Sequence, residues 1–139
     1  MKKIILGLCI LVALTTINQS CKKYPEGPSF SLLTKTQRLA CTWKITSYTV
    51  NGTDQLGVIN ALLPNYSETY DKSGNYSYSA DNASGSGKWE FQNNKLEIKR
   101  SGVSGQSSAT LTILKLKSKE FWYSYKENGD EVIVHMIPK

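Results

Sequence analysis

The chain has 139 residues, a formal charge of +6 and a hydrophobic share of 40%, enough for one packed domain and no more. Its basic excess is mild and no nucleic-acid motif accompanies it, so a nucleic-acid partner is not expected. Three cysteines, Cys9, Cys21 and Cys41, are too few for a disulfide scaffold.

Residues 1–20 read as a signal peptide. Lys2 and Lys3 supply the positive start, and Ile4 to Leu14 is an unbroken run of apolar or small residues. That run is too short to span a bilayer as a helix, which takes ~20 apolar residues, and it has the length of a signal-peptide core. Polar and small residues from Thr15 to Ser20 lead to Cys21. A thiol there can be alkylated at the membrane surface and become the first residue after cleavage, so Cys21 is the expected lipid-attachment site. Several acyl chains, at ~0.8 kcal/mol per buried CH₂, hold a protein firmly on a membrane. The order resembles the bacterial lipobox, with Ser20 directly before the cysteine and Asn18 where leucine is usual. Two alternatives stand beside this reading. One is an ordinary signal peptide with Cys21 incidental. The other is a Cys21–Cys41 disulfide, which an oxidising compartment permits and which would compete with lipidation. The expected location is the cell envelope, anchored to the outer membrane and facing the periplasm.

Residues 21–38 read as a lipidated tether. Pro25, Gly27 and Pro28 keep its first part out of helix and central strand, whereas Ser31 to Leu39 suits a short helix or a strap closing one end of a barrel. Thr42 to Val50 is rich in β-branched and aromatic residues and ends at the turn pair Asn51-Gly52. In Asp54 to Asn65, Leu56, Ile59, Leu62 and Leu63 fall at helical spacing and Pro64 ends the pattern, predicting a short helix or lid.

From Tyr66 the chain reads as a meander. Strands are expected at Tyr66 to Tyr70, Asn75 to Ala80 and Gly87 to Gln92, with a turn at Asp71 to Gly74 and a loop over Asp81 to Gly85. A tight hairpin at Asn93-Asn94 leads to a strand at Lys95 to Arg100, with Leu96 and Ile98 inward. A loop at Ser101 to Ser107 precedes a strand at Ser108 to Leu116, whose apolar phase switches midway and predicts a bulge. Glu120 to Lys126 and Glu131 to Ile137 form the last hairpin around Asn128-Gly129. The lysines Lys115, Lys117, Lys119 and Lys126 read as a solvated strand face. Connections this short require antiparallel pairing, and eight evenly spaced short strands argue a barrel or a sandwich, of which a closed barrel would leave no exposed edges.

Arg38-Leu39-Ala40-Cys41-Thr42-Trp43-Lys44 resembles the opening of lipocalin-like domains, whose first strand carries a Gly-x-Trp signature. Trp43 is the tryptophan, and Cys41 occupies the glycine position. The layout is similar to lipocalin-like lipoproteins common in Bacteroidota: an acylated cysteine, a Lys-Lys-Tyr and Glu-Gly-Pro tether, then a tryptophan-bearing strand. Gly87-Lys88-Trp89-Glu90-Phe91 and Phe121-Trp122-Tyr123 continue that order. The resemblance implies an all-β fold over residues 39–139. That fold is a single antiparallel eight-stranded up-and-down barrel with a short helix or lid between the first two strands. It also implies that Trp43 plugs one end.

No catalytic set assembles, and an enzyme is not expected. The single histidine, His135, shares a strand face with Ile133 and Ile137 and reads as a packed or rim residue. No zinc spacing occurs, Asp71 to Asn75 lacks the ligand density of a calcium loop, and no phosphate loop is present, so no metal or cofactor is expected. The Asn-x-Ser/Thr sequences at Asn51, Asn65, Asn75 and Asn82 read as turn and strand residues.

The aromatic inventory remains. An eight-stranded barrel is just wide enough to be filled by side chains or to hold one small ligand. Tyr76, Tyr78, Trp89 and Phe91, with Tyr123 and Tyr125 opposite, form the expected lining, or are simply core. Three functions compete: a binding module for a small hydrophobic or aromatic ligand, a filled barrel serving an envelope protein complex, and a hydrolase built around His135.

Overall fold

Thr34 starts the first helix, α1 (Lys35–Leu39), through a capping box. Its hydroxyl accepts from the Gln37 amide, and the Gln37 side chain accepts from the Thr34 amide. The computed structural model describes residues 31–139. The signal peptide, Cys21 and the first part of the tether lie outside the described residues. The strap end of the tether docks on the barrel: Arg38 donates to the Leu116 carbonyl at 2.8 Å and Lys35 to the Lys95 carbonyl at 3.0 Å.

Strand β1 (Thr42–Val50) is followed by the two-residue β2 (Thr53–Asp54) and helix α2 (Leu56–Leu62). The meander is β3 (Ser67–Tyr70), β4 (Asn75–Ala80), β5 (Ala83–Gln92), β6 (Glu97–Ser101), β7 (Ala109–Leu116), β8 (Phe121–Glu127) and β9 (Asp130–Pro138). Each strand from β3 to β9 pairs antiparallel with the next. β1 takes β3 on one side and β9 on the other, closing an eight-stranded barrel, with β2 an extra turn of sheet against the end of β1. The tight turns at Asn51-Gly52 and Asn128-Gly129 have all four residues at positive φ, the geometry that Asn-Gly tolerates and that matches strand twist.

The predicted helix between the first strands is present, as is the bulge in β7, where register slips between Ile113 and Lys115. Three expectations change. The Asp81 to Gly85 loop is a two-residue turn, because β5 begins at Ala83 and pairs Gly85 with Tyr78. Ser84 and Ser86 face solvent, while Gly85 points inward where a Cβ would meet the Tyr78 ring at 2.5 Å. What reads as loop composition is a strand whose inner positions must be empty. The Asn93-Asn94 hairpin takes in Lys95, all three residues at positive φ, so β6 starts later than expected. Lys115 is not solvated: its ammonium lies 3.5 Å from the Trp122 ring centre and 3.2 Å from Glu120.

One end of the barrel is closed. Trp43 is fully buried, its indole donates to the Leu39 carbonyl at 2.9 Å, and its ring meets Phe121 at 5.6 Å. Leu39, Ile98, Leu111, Leu116 and Met136 fill the space around it. The other end lies under α2, which buries no residue.

Candidate ligand-binding site

Strand alternation places Tyr66, Glu68 and Tyr70 on one face, and in the barrel that face is the interior. Glu68 is 1% exposed. A carboxylate so placed must be matched by charge and hydrogen bonds, and four side chains do this. Arg100 Nη1 lies 2.8 Å from Oε1, which also accepts from the hydroxyls of Tyr66 at 2.8 Å and Tyr123 at 3.1 Å. Oε2 accepts from the Tyr70 hydroxyl at 2.8 Å. Arg100 enters because β6 puts it in the same phase as Ile98. The same Nη1 donates to the Tyr76 hydroxyl at 2.8 Å, and the guanidinium lies 4.8 Å from the Tyr76 ring centre, a cation–π contact.

The electrostatics follow from this packing. Burial, reinforced by the Glu68 carboxylate, pushes the phenols of Tyr66, Tyr70, Tyr76 and Tyr123 well above their ordinary value. Burial opposes the Arg100 charge, but Glu68 beside it prevails and holds the guanidinium above its ordinary value. Burial also raises Tyr125, whose hydroxyl shares a hydrogen bond of 3.1 Å with that of Tyr48.

Two cavities flank this cluster under α2. One, of about 120 Å³, is bordered by Tyr48, Ile59, Glu68, Tyr123 and Tyr125. The other, of about 190 Å³, is bordered by Tyr76, Tyr78, Ala83 and Gln106. Leu63, Tyr66 and Arg100 border both. The lid is held at its far end, where Asn82 donates to the Leu62 carbonyl at 2.9 Å and Asn65 to Asp81 at 2.9 Å.

Of the expected lining, Tyr76, Tyr78, Tyr123 and Tyr125 border the cavities. Trp89 and Phe91 do not. β5 runs from the lidded end towards the closed one, so they stand low in the barrel, where the Trp89 indole donates to the Asp71 carbonyl at 3.0 Å. Tyr66, Glu68 and Arg100 were missed by sequence reasoning. Their signal was two opposite charges sitting in otherwise apolar phases, Glu68 between Tyr66 and Tyr70 and Arg100 after Leu96 and Ile98. Trp43 stands at the closed end, as described. Cys41 is half-buried, with its thiol against the Thr42 carbonyl. His135 is on the outer wall, stacked on Trp122 at 3.9 Å between ring centres, away from the cavities. Among the described residues, no three His, Cys, Asp or Glu side chains come together as metal ligands would.

No family model matches the chain, and no curated protein matches it. Among solved structures it is similar to a DUF4847 family protein from Bacteroides vulgatus. The TM-score is 0.50 and the identity 11%, over 71% of this chain and 92% of that one. At that identity the likeness is one of fold: an eight-stranded barrel shared with a Bacteroides protein.

Proposed function

We propose that this is a non-enzymatic binding lipoprotein. It is exported by residues 1–20, anchored through Cys21 to the outer membrane and facing the periplasm, and its lipocalin-like barrel holds a small aromatic or hydrophobic ligand beneath α2. The observation that carries the reading is the pair of tyrosine-lined cavities meeting at Tyr66 and Arg100 under a helix that buries none of its own residues. A core-filling role alone would not call for a lid so loosely seated. The cavities are small beside the ~300–1,000 Å³ of drug-sized sites, which limits the ligand to about one ring. The lipid anchor is supported by the order of charge, apolar run and cysteine at the start of the chain.

Native mass spectrometry of the chain extracted from membranes tests both parts. A mass increment of acyl chains that disappears in Cys21→Ser, together with an adduct of small mass, is the expected result. An unmodified Cys21 removes the anchor. A packed mouth that takes up no small aromatic removes the binding role and leaves the second reading, a filled barrel serving an envelope complex. The exposed Val58 and Leu62 on α2 favour that alternative, and it predicts a co-purifying protein.

A further inference from the structure

The cavity under α2 has a chemical polarity that narrows what it holds. Glu68 is already engaged on both oxygens: Oε1 takes Arg100, Tyr66 and Tyr123, and Oε2 takes Tyr70. Among the described residues it is the only acidic side chain bordering either cavity. A ligand amine would find no free carboxylate.

Arg100 is the opposite case. Its bonds to Glu68, Tyr70 and Tyr76 all leave from Nη1, at 2.8, 3.4 and 2.8 Å. Among the described residues, Nε and Nη2 carry no hydrogen bond, and neither is a buried atom lacking a partner. The group borders both cavities, and the Nε/Nη2 edge is the part of it left without a protein partner among the described residues. Nε and Nη2 form the fork that carboxylates engage in two parallel bonds. Around it the second cavity adds one more donor, since the Tyr78 hydroxyl accepts from Gln106 at 3.3 Å and keeps its own hydrogen. Rings of Tyr66 and Tyr78, stacked at 6.0 Å, supply an aromatic wall.

We propose that the ligand is a small aromatic carboxylate, its carboxyl group on the Nε/Nη2 edge of Arg100 and its ring against Tyr66 and Tyr78. This rests on the binding reading above and gives it a ligand class. Arg100 then bridges two carboxylates, Glu68 on one edge and the ligand on the other. The three tyrosine hydroxyls already donated to Glu68 disperse its charge and make the second anion tolerable.

The test uses the full chain and three probes of one shape: benzoate, phenylacetate and the neutral methyl benzoate. Isothermal titration at neutral pH should show the two carboxylates binding at least tenfold tighter than the ester. In NMR spectra of the same samples the Arg100 Nε–H resonance should shift with benzoate and stay in place with the ester. Ester binding as tight as benzoate overturns the carboxylate assignment while leaving the binding role intact. Absence of binding by all three overturns both. Arg100→Lys keeps the charge opposite Glu68 but loses the fork, and should lose most of the preference for benzoate. If that variant does not fold, the probe comparison and the Nε–H shift on the unaltered chain decide the matter.

Discussion

Glu68 and Arg100 hold one another in the barrel, and each is a liability without the other. Glu68→Gln removes the counter-charge of a mostly buried guanidinium and sets a donor amide against three donor hydroxyls. Removing one partner of a buried pair costs ~3–5 kcal/mol, so the urea midpoint should fall with the slope unchanged. Replacing both, as in Glu68→Gln with Arg100→Met, should cost less than the two single changes added together.

The buried phenols give a second prediction at the same scale. The raised values of Tyr66, Tyr70, Tyr76 and Tyr123 mean that the folded chain keeps protons the unfolded chain gives up near pH 10. Below that pH both states are protonated and the contribution to stability is complete. Above it the unfolded state binds fewer protons, and stability falls by up to ~1.4 kcal/mol per pH unit for each such group. Phenolate absorbance and loss of sheet circular dichroism should therefore rise together in one alkaline transition.

Among the elements, α2 is the one built to yield. It has no side-chain cap at Gln55, no buried residue, and a glycine in its first turn. Nothing lies within 4 Å of where a Cβ would sit on Gly57. Gly57→Ala should stabilise the helix by ~0.5–1 kcal/mol and slow hydrogen exchange of α2 amides while leaving β7 and β8 unchanged. The lid was legible in the sequence because helical spacing and Pro64 are local signals. β1 and β4 were legible for the same reason. The first half of β5 was not: its serine-glycine alternation has the composition of a loop, and only Tyr78, its partner on the neighbouring strand β4, explains why Gly85 is there. The site was half legible. Its tyrosines stood out as strand aromatics, but the inward turn of Glu68 and Arg100 depends on their finding each other across strands that sequence distance does not relate.

For the whole molecule, stability is set at the closed end. Trp43 ties α1 to the barrel through Leu39 and touches Phe121, and the buried cluster runs without a break from there to Tyr70 and Tyr123. Trp43→Ala should cost ~3–5 kcal/mol, with secondary and tertiary signals lost in a single denaturant step because there is one core to lose. The seam between β1 and β9 carries a consequence in time as well. β1 is made early and its partner last, so through synthesis the meander stays an open ribbon. Contacts so remote along the chain also slow folding. For a chain exported as proposed, that delay is useful: the polypeptide stays threadable during transit, and the arrival of its final strand is the event that locks it.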